Sequence, residues 1–511
     1  MAETEAPRTH WADEVAEHVV RGGRPVVLST GISPSGEIHI GNMREVLTAD
    51  AVFRALVDRG VSAGFHFVAD TLDPLRRVYP FLERARYEPL VGHALSAIPC
   101  PCGAHPSYAE HFLAPFLDAL AELRVGAEVL RADLLYASGR MTPWVVRALE
   151  ERERIARILH EVTGRDVGQD WSPFQPACTA CGQLHGVRVT GFDARAASVG
   201  YACGCGSAGS VPIASGGKLT WRVDWPARWC ALGVTLEPFG KDHATRGGSY
   251  DTGARIVREV FGHEPPHPIP YEWIRLKGQG DMSSSRGNVL SIGRVLEIVP
   301  PEALRYLVMK ERPSRTIDFD PGPPLLQLVD QLDDAASHGR DERAVELSRA
   351  GGFRPVGVPF QHLVVVAQAA RFDTARVLEI LRRSGYAAAD PQAVASRMGH
   401  ARRWLEGFAP EDVRFEVQER LPEAARGLPE ATRRLLGQLG ETLDDTMDAE
   451  AIHRTIYDLA AASGSTPPAE LFRAVYLALL GKPRGPRAGW FVELLGPSFC
   501  AARFREAAAG A

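Results

Sequence analysis

The sequence predicts a protein of several domains in which a doubly wound parallel α/β sheet precedes an all-α domain. The β-branched run "RPVVLST" is followed by a loop, by apolar residues at three- and four-residue steps from Met43 to Leu56, and by a second run, "AGFHFVAD". This order is a βαβ unit, the start of a parallel sheet. The segment from Ser172 to Gly217 is instead rich in Gly and Cys, as in a small inserted domain. After Asp320 the strand patterns stop.

Length and composition agree with this organisation. A chain of 511 residues is too long for a single core, so roughly two to four domains are expected. No apolar run reaches the roughly 18–20 residues of a membrane span. The acidic start "MAETEAPRTHWADEVAEHVV" has no signal-peptide apolar core, so we expect a cytoplasmic protein without a membrane segment. The net charge is −5, so any nucleic-acid-binding face must be local.

The remaining elements follow from their own patterns. The α/β alternation continues past Arg165 and resumes in "LTWRVDWPARWCALGVTLEPFGKDH", which the helical "YDTGARIVREVFG" follows. Helical periods fill the chain from about residue 330 onward, and they predict helices in "HLVVVAQAARFDTARVLEILRRSG", "PEATRRLLGQLGETLDD", "AIHRTIYDLAAAS" and "AELFRAVYLALLG".

The loop "GISPSGEIHIGN" lies between the first strand and the first long helix of the βαβ unit. The start of a helix after a strand favours anions, because free backbone N–H groups and the helix dipole face the ligand. Gly36 and Gly41 would allow close approach, and His39 and Asn42 offer polar groups at the same turn. An ordinary βα loop with a capping histidine is an equally good interpretation of these four residues alone.

A second stretch, "LKGQGDMSSSRGN", contains Gly, Ser and one Met between Lys277 and Arg286. By itself it is typical of a solvated surface loop. Together, however, the two stretches resemble the HIGH and KMSKS signatures of class I aminoacyl-tRNA synthetases. The longer blocks "GISPSGEIHIGNMREVLTADAVFRAL", "DWPARWCALGVTLEPFGKDHATRGGSYDTG", "PYEWI", "TIDFDPG" and "GKPRGPRAGWF" resemble the class I, archaeal-type lysyl-tRNA synthetases over residues 10 to 500.

The resemblance implies a Rossmann-type class I synthetase catalytic domain with a zinc-binding insertion, and an all-α C-terminal anticodon-binding domain. The implied segments are 1–170 and 218–300 for the two halves of the catalytic domain, 171–217 for the insertion, 301–335 for a stem-contact connector, and 336–511 for the anticodon-binding domain. The implied reaction joins lysine to ATP as lysyl-adenylate and transfers the lysyl group to tRNA(Lys). Mg²⁺ would accompany ATP, and a monomer is expected.

The resemblance also implies which residues form the site. The residues that match the two signatures and the "GKDH" block would bind ATP, and they are His39, Asn42, Asp242, Met282, Ser283, Ser284, Ser285 and Arg286. Of these, His39, Asn42 and Arg286 would be the catalytic groups. Those matching the lysine pocket are Gly31, Ser33, Trp221, His243 and Tyr271. Asp242 could bind ribose or face the substrate ammonium. A Trp or Tyr at these positions could equally be a core residue, and Ser33 stands where the family has Thr.

Asp281 stands where the family's second signature has a lysine that attracts the triphosphate. At about 4 Å from a phosphate charge and an effective dielectric near 20, a carboxylate would cost on the order of 4 kcal/mol. Arg286 is the candidate for compensation, because a guanidinium can grip phosphate with two hydrogen bonds.

We therefore expect Arg286→Ala to lower adenylate formation about 100-fold, which is about 2.7 kcal/mol of transition-state stabilisation. Asp281→Lys should raise the rate or lower KM for ATP, as measured by ATP–pyrophosphate exchange. A harmless Arg286→Ala, with a nearly inactive wild type restored by Asp281→Lys, would favour a paralogue that no longer charges tRNA.

The clustered cysteines predict metal sites. Four thiols in two knuckles, Cys178, Cys181, Cys203 and Cys205, suit a closed tetrahedral zinc site, with free thiols as the alternative. In "CPCGAHPSYAEH" the resemblance implies a second zinc site of Cys100, Cys102, His105 and His111. Here Cys102 would replace a ligand that the family has at Ala104, and an empty site is the equal alternative.

The resemblance assigns anticodon recognition to the last domain, where Arg402, Arg403, Trp404 and the "GKPRGPRAGWF" stretch have side chains suited to RNA. A solvated charged helix face is an equal interpretation. Two other functions stay open. One is a diverged paralogue that binds tRNA or supplies lysyl groups to another pathway without normal charging. The other is a small nucleotidyltransferase, which would need neither the insertion nor the α domain.

Overall fold

The structure is a computed structural model that describes residues 9–278, 280–282, 289–351 and 353–509, and only the backbone of Gly280 and Asp281. The chain divides into two compact units. The first contains the described residues up to Leu296 together with Pro301–Phe319 and Asp341–Phe353. The second contains Glu297–Pro300, Asp320–Arg340 and the described residues from Arg354 onward. The division at 319/320 falls inside the predicted connector 301–335, whose bounds stay a prediction.

The strands are β1 (Val26–Ile32), β2 (Ala63–Ala69), β3 (Glu128–Arg131), β4 (Phe174–Pro176), β5 (Val187–Asp193), β6 (Ser198–Cys203), β7 (Ala208–Pro212), β8 (Gly217–Leu219), β9 (Leu236–Gly240), β10 (His267–Tyr271), β11 (Ile274–Leu276), β12 (Gly280–Asp281) and β13 (Ile317–Phe319). The helices are α1 (Trp11–Arg21), α2 (Ile40–Asp58), α3 (Arg84–Tyr87), α4 (Tyr108–Glu122), α5 (Ala132–Ala137), α6 (Thr142–Glu150), α7 (Arg152–Thr163), α8 (Trp221–Leu232), α9 (Ser249–Ile256), α10 (Ile292–Ile298), α11 (Pro301–Met309), α12 (Pro323–His338), α13 (Glu342–Ser348), α14 (Phe360–Ala369), α15 (Thr374–Arg383), α16 (Pro391–Gly407), α17 (Glu423–Arg426), α18 (Glu430–Thr442), α19 (Ala449–Ser463), α20 (Pro468–Leu480), α21 (Ala488–Leu495) and α22 (Pro497–Ala509).

The main sheet of the first unit is parallel and has the order β10-β9-β1-β2-β3. β1 runs beside β2 in register from Val26 opposite Ala63 to Ile32 opposite Ala69. The chain leaves β1 through α2 to reach β2 on one side, whereas β9 and β10 lie on the other side. Such a reversal of strand order opens a crevice at the carboxyl ends of the strands. The predicted parallel sheet is confirmed, and its crevice lies between β1 and β9.

The Gly- and Cys-rich segment is built on small antiparallel sheets. β4 pairs with β8, so the chain between them starts and ends at neighbouring positions within the first unit. Within that excursion β5, β6 and β7 form an antiparallel sheet of their own. Val199, Tyr201 and Val211 point from it into the main hydrophobic core, which also contains Phe174 and Leu219 of the two paired strands.

The second unit is helical, and among its described residues no strand follows Phe319. The long predicted segment that begins at His362 is two helices, α14 and α15, separated by a turn in which Arg371 and Phe372 have φ of 54° and 61°. One expectation is wrong here. Trp404 is fully buried and donates its indole N–H to the carbonyl of Pro321 at 2.8 Å, so its ring cannot stack on RNA.

Within the described ranges, no helix combines the length and the apolar character that crossing a membrane requires.

Candidate active site

A cavity opens at the carboxyl ends of β1 and β9, where the strand order reverses. It holds about 430 Å³ of space not filled by protein atoms. Its walls come from the end of β1, from α2, from the residue after β2, from α8, and from β9 with the 3₁₀ turn Lys241–Ala244. The lining residues are Ser29, Thr30, Gly31, Glu45, Val68, Asp70, Trp221, Trp225, Arg228, Trp229, Glu237, Pro238, Phe239 and His243.

Glu45 projects from α2 into this cavity and is held from two sides. Its carboxylate accepts a hydrogen bond from the backbone N–H of Gly31 at 2.9 Å and another from the hydroxyl of Tyr271 at 2.8 Å. Burial nevertheless raises the pKa of Glu45 to about 8, and the nearby Glu237 and Asp70 add to this effect. A carboxylate so short of positive charge would gain most from a bound cation.

Two more carboxylates share the cavity wall with Glu45. Burial raises the pKa of Glu237 to about 7, although the indole N–H groups of Trp225 and Trp229 donate to it. Burial also raises the pKa of Asp70, against the attraction of Arg228 at 2.8 Å. Arg228 is shared with Asp224 at 3.0 Å, so this single guanidinium already serves two carboxylates. The cavity therefore carries an excess of acidic groups and suits a cationic ligand.

Aromatic rings form the outer wall of the cavity. Trp221 stacks on Trp225 with ring centroids 5.4 Å apart and an angle of 12°, and His243 lies 5.6 Å from Trp225. Trp221 is 36% exposed, so it lies at the cavity mouth and is not a core residue. Aromatic faces attract an ammonium group by about 0.5–2 kcal/mol. This wall therefore supports the same kind of ligand as the carboxylates.

The N-terminus of α2 lies at the end of the β1–α2 loop. His39 is its N-cap and accepts a hydrogen bond from the N–H of Gly41 at 3.1 Å through Nδ1, and the amide oxygen of Asn42 accepts from the N–H of His39 at 3.2 Å. Burial lowers the pKa of His39 to about 4, so the ring is neutral at pH 7. Because Nδ1 accepts, the proton is on Nε2, which is thus a donor. A Cβ at Gly41 would lie 2.8 Å from the His39 ring, so this glycine is required.

Residues within and directly after the second signature lie next to the N-terminus of α2. A Cβ at Gly41 would lie 3.7 Å from the terminal methyl of Met282. Beyond the loop, Ile40 donates its N–H to the carbonyl of Leu290, and Ile292 donates to Ile38. The two sequence stretches are therefore brought together in space.

The sequence of the chain matches a known protein family. The family described as "tRNA synthetases class I (K)" matches residues 9–350. The chain belongs to this family.

Curated relatives of this class I synthetase match it from end to end. A lysine--tRNA ligase of Methanosarcina barkeri is 48% identical and covers 98% of each chain. A lysine--tRNA ligase of Archaeoglobus fulgidus is 46% identical over 98% of this chain and 100% of the relative, and one of Thermoplasma acidophilum is 40% identical over 97% and 98%. An anticodon binding domain family matches residues 408–508, within the helical part of the synthetase.

The lysine-pocket residues predicted for the synthetase gather around the cavity. Gly31, Trp221 and His243 line the cavity, and the hydroxyl of Tyr271 donates to Glu45, which also lines it. Ser33 lies on the β1–α2 loop, and its hydroxyl donates to the carboxylate of Asp73.

The structure describes only some of the residues predicted to bind ATP. His39, Asn42 and Met282 meet at the start of α2. The Asp242 side chain is 56% exposed, in the turn that leaves the cavity. Ser283, Ser284, Ser285 and Arg286 lie outside the described residues, as does the Asp281 side chain.

Sequence reasoning missed the acidic lining of the cavity, Glu45, Asp70 and Glu237. Two of these had a visible signal. Asp70 directly follows the apolar strand "GFHFVA", at the carboxyl end where parallel strands place ligand-binding groups, and Glu237 is a charged residue near the start of the apolar strand "LEPFG". Glu45 had no such signal, because an isolated Glu on a helix is most often solvated.

Both predicted metal clusters have their ligand atoms gathered within 4.8 Å of one another. In the insertion, the Sγ atoms of Cys178 and Cys205 are 3.7 Å apart, as are those of Cys181 and Cys203. A tetrahedron with Zn–S bonds of about 2.3 Å has edges of about 3.8 Å, so these distances fit.

The second cluster joins two thiols and two imidazoles. Cys100 and Cys102 have their Sγ atoms 3.3 Å apart, and each lies 3.2–3.6 Å from the Nδ1 atoms of His105 and His111. The mixed edges of a zinc tetrahedron are about 3.6 Å. Cys102 thus lies close enough to the other three side chains to share a metal ion with them, and its role as a ligand stays a prediction.

Proposed function

We propose that this protein is a lysine--tRNA ligase, which activates lysine with ATP to lysyl-adenylate and transfers the lysyl group to tRNA(Lys). The observation that carries the proposal is the cavity at the β1/β9 crevice, whose acidic and aromatic lining suits an alkyl ammonium. The names of curated relatives at 46–48% identity support the same substrate. Neither step needs a covalent intermediate on the enzyme.

In this proposal the lysine side chain enters between Trp221 and Glu45. Its ε-ammonium would donate to Glu45, whose second partner, Tyr271, fixes the carboxylate from behind. The aliphatic part of the side chain would contact the indole wall. The α-carboxylate would then face the start of α2, where the α-phosphate of ATP must lie for the attack.

ATP would bind at the α2 N-terminus. His39 presents a neutral N–H donor there, and the helix dipole favours the phosphates. A donor held in place beforehand stabilises the developing charge of the phosphoryl transition state without reorganisation during the reaction. Mg²⁺ would accompany the triphosphate, and Met282, Ser283, Ser284, Ser285 and Arg286 would close over it. Catalysis would then be positioning and charge stabilisation.

Zinc would occupy the two cysteine clusters, since thiolate and imidazole ligands at these distances suit it. Neither cluster touches the cavity, so we assign both to structure. The monomeric state and the cytoplasmic location remain predictions.

We expect ATP–pyrophosphate exchange that depends on lysine among the twenty amino acids. The carboxylates of the cavity should reject neutral side chains, because a buried carboxylate left without its partner costs several kcal/mol. The measurement is exchange with each amino acid, with and without tRNA. Exchange supported by another amino acid and not by lysine would overturn the proposal, and exchange with no amino acid would favour a nucleotidyltransferase.

We expect Cys102→Ser to lower the zinc content of the purified protein by about one equivalent per chain. Loss of one of four ligands opens the tetrahedron, and the segment 100–111 should then be cleaved faster by protease. Zinc is measured by mass spectrometry, with Cys500→Ser as the control because Cys500 is buried away from both clusters. Unchanged zinc in Cys102→Ser would show that this residue is not a ligand.

A further inference from the structure

The segment between β2 and α4 contains an aromatic platform that the site described above does not use. Phe81 is 44% exposed, whereas its neighbours Tyr79 and Phe112 are buried. Its ring stacks on Tyr79 with centroids 5.6 Å apart at 23° and meets the edge of Phe112 at 5.6 Å. Tyr79 and Phe112 belong to a local hydrophobic cluster that fixes the platform from below. The exposed area therefore belongs largely to the ring face and edge that point away from Tyr79.

The platform lies in a locally basic stretch. Residues 76–88 contain four arginines and two glutamates, a balance of +2 in a chain of net charge −5. Arg84 pairs with Glu88 at 2.9 Å, and Arg86 donates to the carbonyls of Cys100 and Pro101. Arg76 and Arg77 are exposed residues close to Phe81 in the sequence, and the guanidinium of Arg77 lies 5.9 Å from the Tyr79 ring centroid. An exposed aromatic face beside exposed arginines is the surface on which single-stranded nucleic acid stacks.

The platform is connected to the loop that leads into the active site. The Tyr108 ring lies 4.9 Å from that of Phe112, and its hydroxyl donates to the carbonyl of Ser35 at 2.7 Å. On the same side, Asp73 accepts from the Ser33 hydroxyl and pairs with Lys218 at 2.6 Å. The segment is thus fastened to the β1–α2 loop between the cavity and the α2 N-terminus. The platform is therefore joined to the β1–α2 loop through Phe112 and Tyr108.

We propose that Phe81, with Arg76 and Arg77, is a stacking platform for the single-stranded 3′ end of the tRNA. The inference rests on the proposed function, because the second step must bring the 3′-terminal ribose to the adenylate. The unpaired bases before that ribose then cross the neighbouring surface. Stacking suits them because it holds a base without reading its hydrogen-bonding edge, and the arginines attract the phosphates.

The test is a binding cycle with two RNAs. Wild type and Phe81→Ala are each titrated with full-length tRNA(Lys) and with tRNA(Lys) that lacks its three 3′-terminal nucleotides. We expect Phe81→Ala to weaken binding of the full-length tRNA about tenfold, the loss of one stacked base. The shortened tRNA should bind wild type and variant equally. Phe81→Tyr, which keeps the ring, should bind as wild type does.

Tyr457→Ala is the matched control, since Tyr457 is an aromatic residue that is 53% exposed on α19 of the other unit. Whatever its effect, it should be the same for both RNAs. Arg76→Ala should reduce the salt dependence of full-length binding by about one phosphate contact. Equal binding of full-length tRNA by wild type and Phe81→Ala overturns the inference, and so does a Phe81→Ala penalty that persists with the shortened tRNA.

The failure of this inference can be distinguished from the failure of the proposed function. Lysine-dependent exchange without tRNA should be the same in wild type and Phe81→Ala, because the platform does not touch the cavity. Absence of exchange in wild type would refute the proposed function, whereas the two-RNA cycle measures the platform in either case. A platform that serves a protein partner would give identical RNA binding in all variants, which counts against the proposal.

Discussion

Glu45→Gln is expected to raise KM for lysine about 150-fold or more in ATP–pyrophosphate exchange at saturating ATP. The amide oxygen of glutamine can still accept from the N–H of Gly31, and its NH2 group can donate to the Tyr271 hydroxyl, which then accepts, so the fold of the site should survive. It removes the charge that would face the ε-ammonium. Truncating one partner of a buried, hydrogen-bonded charge pair costs about 2–5 kcal/mol, and 3 kcal/mol corresponds to the stated factor.

The same carboxylate should make lysine binding depend on pH. Its pKa in the ligand-free cavity is raised to about 8, so below that pH the free protein holds a proton there. Lysine prefers the ionised form, so binding releases this proton. Affinity for lysine should therefore rise with pH up to about 8 and level off above it, and calorimetry in two buffers should detect the proton release. Glu45→Gln should abolish this dependence.

Asp242→Asn is the control that separates the two carboxylates considered for the ammonium. Asp242 has a side chain 56% exposed to solvent, and an exposed charge contributes little. Its loss should leave KM for lysine within about threefold of wild type. A large lysine effect from Asp242→Asn together with a small one from Glu45→Gln would move the ammonium site to the rim.

Cys178→Ser is expected to remove about one zinc per chain and to disorder the knuckles around the insertion cluster. Zinc binding in small structural sites contributes about 10–16 kcal/mol of folding free energy, far more than the local chain can replace. Strand β5 is the least protected strand of the insertion sheet because it is largely exposed, whereas Val199, Tyr201 and Val211 pack into the core. Limited proteolysis should therefore cut the variant first within residues 178–212.

Cys230→Ser is the control, since Cys230 lies on α8 and belongs to neither cluster. It should keep the zinc content and the protease pattern of wild type. The variant Cys178→Ser should lose less of its lysine-dependent exchange activity than of its protease resistance in the insertion. The reason is that Phe174 and Leu219, at the base of the insertion, pack in the hydrophobic core. Full zinc content in Cys178→Ser, with an unchanged protease pattern, would show that the four thiols do not form the site.

The sequence predicted the architecture well because its signals are local. The βαβ unit, the small Gly- and Cys-rich insertion and the change to helices after Asp320 each follow from the period or the composition of neighbouring positions, whereas the antiparallel pairing within the insertion was not predicted. The gathering of the four insertion cysteines was predictable for a related reason. They occur as two pairs whose members are separated by one or two residues, so folding has only to bring the two pairs together.

The sequence by itself also grouped Gly31, Trp221 and His243 in one predicted pocket, because they occur within blocks that resemble a known family, and all three line the cavity. Only the tertiary structure decided that Glu45, Asp70 and Glu237 share a cavity and that Trp404 is buried. The physical reason is that charge and burial depend on what a side chain faces across the fold. The pKa of Glu45 is raised mainly by burial away from water and further by Glu237 and Asp70 on other elements, and none of these is a property of its neighbours in the chain.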